Sequence, residues 1–194
     1  MDKSNYHRVT EIISPFSGIG KIPSHILQAA AHRGSMVHNY IESAISGFAM
    51  PPENDAVQPY IDSFEGFWDE SRHVFDGKWQ IEKRLFCDKK MITGQMDLIV
   101  KTDEKTLVFD WKTSAKEQKS WRLQAAAYQY LLEVNEYKNP KPLVFVRLDK
   151  FGKKPTLHSY ETYKEDLDIF FKCLDLYHWF DHAKDKNDNF RKNR

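Results

Sequence analysis

A charged pair interrupts an apolar stretch of the sequence, the segment LVFDWKTS at residues 107–114. If this segment is a β-strand, Asp110 and Lys112 share one face while Phe109 and Trp111 take the other. A carboxylate and an ammonium group placed side by side suit a site that binds a metal ion and a phosphate. An ordinary surface ion pair is the alternative, because antiparallel strands commonly carry one polar face.

A second carboxylate is expected beside this pair. Asp97 ends the segment GQMD, thirteen positions before Asp110, on the strand that we predict to pair with residues 107–112. Neighbouring carboxylates raise one another's pKa unless a cation or an ammonium group offsets their repulsion. Lys112 supplies one such charge. Mg²⁺ prefers oxygen ligands and keeps several waters, so two carboxylates with open positions suit a metal that also holds a phosphate.

Three short strands joined by charged turns carry these residues. Alternating apolar patterns predict the strands at residues 79–87, 90–102 and 106–113. We predict a long helix over residues 22–47 with Ser24 as N-cap, and a second helix after the break MPPEND, within residues 57–75. The remaining pattern predicts a helix at 120–137, strands at 141–150 and 155–162, and a closing amphipathic helix at 164–184. The result is one α/β domain with a central sheet and helices on its faces.

Length and composition indicate a single globular unit. The 194 residues are 41% hydrophobic and 29% charged, and no window approaches the roughly 18 apolar residues of a membrane span. The N-terminus shows no apolar signal region, and two distant cysteines without CxxC spacing argue against zinc knuckles, iron–sulfur clusters and disulfide frameworks. We therefore expect an intracellular protein with one domain over residues 1–183.

Basic charge is concentrated in two segments although the net charge is only +1. Residues 78–122 contain eleven Lys or Arg against seven Asp or Glu, and the segment 184–194 adds five more basic residues. We expect the latter to form a flexible tail, because it is too polar to pack. Such segments are usually just solvated, but both would also suit a phosphate backbone.

Four elements, in order along the chain, resemble the RecB-like branch of the PD-(D/E)xK nucleases. GQMD, twelve further residues and DWK resemble the G-x-x-D and D-x-K halves of the family motif. QAAAY places Gln124 and Tyr128 four positions apart, similar to the branch's Q-x-x-x-Y element. RGSMVHNYIE places His38 four positions after Gly34 and resembles its G-x-x-x-H helix. The last third of the chain carries no matching motif.

The resemblance implies both a fold and an activity. The fold is a restriction-endonuclease-like α/β core, a central mixed β-sheet flanked by helices. The activity is that of a divalent-metal-dependent DNA exonuclease that leaves 5′-phosphates, similar to small phage and mitochondrial genome maintenance exonucleases. Its implied setting is DNA processing, repair or recombination in the cytoplasm of a bacterial or phage-infected cell. Because the sequence lacks a P-loop, any unwinding needs a helicase or recombination partner.

The resemblance also implies roles for single residues. The expected ligands of Mg²⁺ or Mn²⁺ are His38, Asp97, Asp110 and the backbone carbonyl of Trp111. Lys112 would orient or help deprotonate the attacking water, so Asp97, Asp110 and Lys112 form the catalytic set. Because imidazole is accepted better by Mn²⁺ than by Mg²⁺, His38 predicts higher activity with manganese.

Further residues are implied in substrate binding or support. Gln124 and Tyr128 would hold the DNA backbone or shape the metal site. The expected phosphate contacts are Arg122, Lys116 and Lys119. Glu42 and Glu82 are candidates for support of the site, although Glu82 fits a solvent-exposed strand position equally well.

Other functions stay open at this stage. An endonuclease that cuts junctions, flaps or restriction sites would use the same motifs. A catalytically silent nucleic-acid-binding module of the same fold belongs to a different class, and the intact set of Asp97, Asp110 and Lys112 argues against it. Cleavage polarity, strandedness, DNA or RNA as substrate, one or two metals, and oligomeric state are left open by the sequence.

Overall fold

A computed structural model describes residues 5–18, 20, 22–48 and 54–192 of the chain. The helices are α1 (Val9–Ile13), α2 (Ser24–Ile45), α3 (Gln58–Ser71), α4 (Ser120–Val134) and α5 (Tyr163–Lys192). The strands are β1 (His7–Arg8), β2 (Lys78–Cys87), β3 (Ile92–Lys101), β4 (Thr106–Lys112), β5 (Val144–Arg147) and β6 (Thr156–His158). Short 3₁₀ turns follow α1 and α3, at Ser14–Phe16 and Arg72–Val74.

The described strands form one mixed sheet built around β3. Strands β2, β3 and β4 run antiparallel in the predicted meander. β5 pairs parallel with β4 after the crossover through α4, and β6 pairs antiparallel with β5. The short β1 lies parallel to the start of β3. This central mixed sheet flanked by helices is the predicted architecture, and it places the middle of β3 beside the end of β4.

Each face of the sheet has its own hydrophobic core. The first core packs α1, α4 and α5 against one face and includes Val108 of β4. The second core packs α2 and α3 against the other face and includes Phe109 and Trp111. The strand alternation predicted for residues 107–112 is therefore confirmed, because neighbouring residues of β4 enter opposite cores.

The structure differs from the sequence prediction near the N-terminus of the described chain. β1 and α1 were not predicted, although Val9, Ile12 and Ile13 of α1 are buried, because so short a helix shows no detectable periodicity. Ser24 is the first residue of α2 rather than its N-cap. Pro23 takes that position with φ −53° and ψ 137°, an extended conformation that proline adopts readily.

Two predictions concern segments that the structure describes only in part. The break MPPEND spans residues 50–55, of which 50–53 lie outside the described residues. The backbone of α5 continues as helix to Lys192 and so includes most of the segment predicted as a basic tail. The flexibility of that segment and the domain boundary at residue 183 stay predictions. No helix in the described ranges combines the length and apolarity that a membrane crossing requires.

Gly94, the first residue of GQMD, lets β3 and α4 approach closely. A Cβ atom there would lie 2.7 Å from Tyr128 Cε1 and 2.8 Å from Leu131 Cδ1. We expect Gly94→Ala to lower the free energy of unfolding by about 1–3 kcal/mol through overpacking. Urea unfolding measures this change. Gly66→Ala in α3 is the matched control, since its added methyl group meets no atom within 4 Å, and an equal loss in both variants would contradict the account.

Candidate active site

Three carboxylates lie in a row across β2, β3 and β4. The pairs Ile81↔Leu98 and Lys83↔Met96 bracket Glu82 and Asp97. The next antiparallel pair, Leu98↔Phe109, sets Asp97 level with Asp110 by continuation of the register. Asp97 and Asp110 are 7% and 3% exposed, and Glu82 is half-buried. A surface ion pair is therefore excluded for Asp110.

The side-chain alternation changes phase at this row. In β3, Met96 enters the first core and Leu98 the second, although the two residues are only two positions apart. In β2, Leu85 enters the first core and Ile81 packs on the second. Glu82 lies at the switch with φ 49°, a left-handed conformation that is uncommon for a non-glycine residue and costs roughly 1–3 kcal/mol. The strand distortion thus aims Glu82 at its neighbouring carboxylates.

His38 of α2 connects the central carboxylate to the backbone of β4. Its Nδ1 lies 3.4 Å from Asp97 Oδ2, and its Nε2 lies 3.0 Å from the carbonyl oxygen of Trp111. The amide of Trp111 donates to Asp97 Oδ2 at 2.8 Å. His38, Asp97 and the Trp111 carbonyl were predicted as ligands, and the structure brings these three groups together.

The charges of His38 and Asp97 stabilise one another. Burial alone would lower the pKa of His38, but the carboxylate of Asp97 outweighs it and raises this pKa to about 9. Burial alone would raise the pKa of Asp97, yet His38 holds it below the usual range. The row of carboxylates therefore favours a positive charge at this point.

Asp110, Lys112 and Gln124 form a second, mostly buried network. Asp110 Oδ2 pairs with Lys112 Nζ at 2.6 Å, and Oδ1 accepts a hydrogen bond from Gln124 Nε2 at 2.6 Å. Lys112 Nζ also donates to Gln124 Oε1 at 3.2 Å. Burial raises the pKa of Asp110 to about 6 despite the attraction of Lys112. Lys112 and Asp110 therefore share one face of β4, as predicted, and Gln124 orients both.

The donor atoms of His38, Glu82 and Asp97 fit a divalent cation. One ligand atom from each of these side chains lies within 4.8 Å of the others. Two carboxylate oxygens and one imidazole nitrogen suit Mn²⁺ and similar ions. Burial and the charge of Asp97 raise the pKa of Glu82, a repulsion that a cation would relieve. The structure groups Glu82 with this cluster, whereas Asp110 faces Lys112.

Gln124 and Tyr128 lie beneath the site. Both are 4% exposed, and the Tyr128 ring packs where Gly94 leaves room for it. Of the two roles considered for this pair, holding the DNA backbone or shaping the site, these contacts support the second.

The three residues predicted to contact phosphate lie in different surroundings. The guanidinium of Arg122 bonds to the buried Asp166 at 2.9 Å and to Thr162, so it joins α4 to α5. Lys116 and Lys119 are exposed on the segment between β4 and α4. Glu42 is exposed one turn beyond His38, near Glu82.

His38 separates two clefts of opposite character. One cleft is lined by Glu42, Glu82 and Gln95 together with α2 residues. The other lies at the end of β4 and is lined by Lys112, Thr113, Ser114 and Arg33, among others. The sequence analysis did not single out Gln95 or Arg33. Gln95 Nε2 donates to Glu82 Oε2 at 2.5 Å, and only its place inside GQMD hinted at such a role.

Comparisons with known proteins support the motif assignment. The family model described as "PD-(D/E)XK nuclease superfamily" matches residues 53–190. Among solved structures, a protein from Eubacterium rectale described as "Putative exonuclease" superposes with a TM-score of 0.58 at 14% identity, covering 86% of this chain and 77% of that chain. The likeness shows a shared fold. SSO0001 covers 91% of this chain and 78% of that chain at 16% identity, with a TM-score of only 0.38. A search of curated proteins finds no match.

Proposed function

Since the chain belongs to the PD-(D/E)XK nuclease superfamily, we propose that it is a divalent-metal-dependent DNA exonuclease that leaves 5′-phosphates. Membership itself implies a phosphodiester hydrolase that acts on nucleic acid with a divalent metal. DNA as the substrate, attack at strand ends and a role in repair or recombination are the proposed refinements. Proteins that unwind or recombine DNA are the proposed partners.

The observation that carries the proposal is the buried contact of Asp110 with Lys112 at 2.6 Å, beside Asp97 and His38. Withdrawing a carboxylate and an ammonium group from water costs free energy, and a buried ion pair is weak evidence for stability. Two further carboxylates in the same row add repulsion. Such a concentration of shifted pKa values at the edge of a cleft is typical of a catalytic site.

The proposed cation would be held by His38 and Asp97, with Glu82 as the third side chain in reach. The carbonyl oxygen of Trp111 and the carboxylate of Asp110 are the other predicted ligands. A bound divalent cation activates water for attack and neutralises charge that develops on the scissile phosphate.

Lys112 is the proposed positioning group for water and phosphate. Its ammonium group is held between Asp110 and Gln124, and it lies 5.2 Å from the centre of the Phe145 ring. The side chain is 21% exposed, so it can reach a substrate in the cleft while its orientation stays fixed. In this role it would orient the attacking water and stabilise charge on the phosphate.

Cleavage of end-labelled DNA tests the proposed function. We expect loss of linear DNA but not of a covalently closed circle, in Mn²⁺ or Mg²⁺ and not in EDTA. The rate should be higher with Mn²⁺ because of the imidazole ligand. Lys112→Ala should be inactive, whereas Lys172→Ala, which removes an exposed lysine of α5, should retain activity.

Other outcomes would redirect the assignment. Cutting of the closed circle would indicate an endonuclease. Binding without cleavage of any DNA or RNA would indicate a silent binding module. Equal activity in EDTA would contradict the metal-dependent mechanism.

A further inference from the structure

The cleft on the Lys112 side of His38 has the chemistry of an anion site. Its volume is about 280 Å³, close to the lower end of the range for ligand pockets. Its hydroxyl-bearing lining residues are Thr10, Ser14, Ser17, Thr113, Ser114 and Ser120, and its arginine and lysine residues are Arg33 and Lys112. The hydroxyls of Ser17 and Ser114 donate to backbone carbonyls. No carboxylate occurs among the described residues that line it. The neighbouring cleft, by contrast, is lined by Glu42 and Glu82.

No polar partner for Arg33 is found among the described residues. Its Nε atom is buried without a hydrogen bond. The Nε atom of Arg147 is also buried without a partner, but its Nη atoms bond to Ala115 and Thr156. No ion pair is found for Arg33 in the described ranges. An unsatisfied buried donor costs about 1–3 kcal/mol. The fold thus retains a costly group that a ligand could satisfy.

The side chain of Arg33 is nevertheless held in place. Its guanidinium carbon lies 5.5 Å from the centre of the Tyr60 ring, and Tyr60 is itself buried in the second core. A guanidinium that rests on an aromatic ring loses less conformational freedom when it binds a ligand. Arg33 is therefore oriented before any ligand arrives.

The opposite wall of the cleft is also fixed. Arg147 donates to the carbonyl of Ala115 at 3.0 Å, and Glu117 Oε2 lies 3.3 Å from His158 Nδ1. These contacts tie the segment after β4 to β5 and β6. Thr113 and Ser114 consequently face the cleft from a tethered segment.

From these observations we propose that Arg33 and the hydroxyl-lined cleft bind a phosphate of the substrate strand next to the scissile phosphate. Guanidinium groups match phosphate with two parallel hydrogen bonds, and hydroxyl groups donate to the remaining oxygens. The inference rests on the proposed function, since Lys112 would hold the scissile phosphate at the mouth of the same cleft. The bound group is either an internal phosphodiester or a terminal 5′-phosphate.

Equilibrium binding of a labelled single-stranded oligonucleotide tests the proposal. The measurement uses the full chain in EDTA and does not depend on cleavage. A failure of the phosphate-binding proposal can therefore be distinguished from a failure of the proposed nuclease activity. We expect Arg33→Met to weaken binding about tenfold or more, as loss of a hydrogen bond to a charged group predicts. The slope of log affinity against log salt concentration should become shallower by about the contribution of one phosphate contact. Arg33→Lys should lose less affinity, because it keeps the charge but not the planar fork.

The matched control is Arg72→Met. Arg72 is an exposed arginine whose weak contact is with Asp69 at 3.8 Å, outside both clefts. Loss of affinity by Arg33→Met for 5′-phosphorylated DNA alone would identify a terminal phosphate, and an equal loss for 5′-hydroxyl DNA would identify an internal one. Unchanged affinity and salt slope for both substrates, or an equal loss in Arg72→Met, would overturn the proposal. Thermal unfolding checks that each variant is folded. If Arg33→Met does not fold, the loss of affinity in Arg33→Lys tests the proposal instead.

Discussion

Replacing Asp110 by asparagine is expected to lower metal-dependent cleavage by about 10³-fold or more while the protein stays folded. Asparagine keeps the size of the side chain and can still bond to Gln124, but it removes the negative charge beside Lys112. Burial already raises the pKa of Asp110 to about 6, so the fold disfavours its charged form. Because the pKa of Asp110 is higher in the folded protein than in the unfolded chain, the protonated carboxyl group stabilises the fold at acidic pH. This stabilisation is lost as the pH rises through about 6. Asparagine relieves this cost of burial but also leaves Lys112 without its carboxylate partner, so the two effects on stability oppose one another.

Cleavage rates in Mn²⁺, together with thermal unfolding of each variant, measure the two effects separately. Asp103→Asn is the control, because Asp103 is an exposed residue of the turn between β3 and β4. We expect it to cleave at the wild-type rate. If Asp110→Asn retained activity within tenfold of wild type, the assignment of the active site would be wrong.

Replacing the next residue, Trp111, by alanine is expected to lower the free energy of unfolding without removing a side chain of the proposed site. Trp111 is 2% exposed, and its ring contacts Phe64 and Phe67 at centroid distances of 5.3 and 6.3 Å. Deletion of a buried aromatic side chain costs roughly 3–5 kcal/mol, a large share of the roughly 5–15 kcal/mol that stabilises a typical domain. Its backbone carbonyl, which faces His38, is kept by the substitution.

Urea unfolding measures the loss. The control is Trp179→Ala in α5, where the tryptophan is 65% exposed and the change should stay within about 0.5 kcal/mol. A loss below about 1 kcal/mol for Trp111→Ala would contradict its role as the anchor of β4. Cleavage rates of Trp111→Ala and wild type, compared at equal amounts of folded protein, then show whether the substitution affects cleavage as well as stability.

The contrast between Asp110 and Trp111 was predictable from the sequence. Strand alternation is a local property of the backbone, so a charged pair spaced by two and flanked by aromatic residues already indicates one polar and one buried face. The order of the main helices and strands was predictable for the same reason, since periodicity and turn residues act over short distances. The match of four motifs in chain order likewise indicated the nuclease superfamily, whose model covers residues 53–190.

Other features of the site depend on contacts between distant segments. The short elements β1 and α1 form only because the sheet and its helices bury Val9 and Ile12. Arg122, which is predicted to contact the phosphate backbone, pairs with Asp166 of α5. No spacing rule links these residues, because the partner is chosen by packing.

Local patterns along the chain were enough to predict the strand order of the meander, the shared face of Asp110 and Lys112, and the placement of His38 on a long helix. The change of phase of β2 and β3 at Glu82 and Asp97 became visible only in the folded structure, since both faces of the sheet are buried and β3 shows no alternation of buried and exposed residues. The same holds for the hydrogen bonds of Gln124 to Asp110 and Lys112, and for the buried Nε atom of Arg33, which has no hydrogen-bond partner among the described residues. Burial and hydrogen-bond satisfaction are sums over neighbours from the whole chain, and those neighbours are known only once the chain is folded.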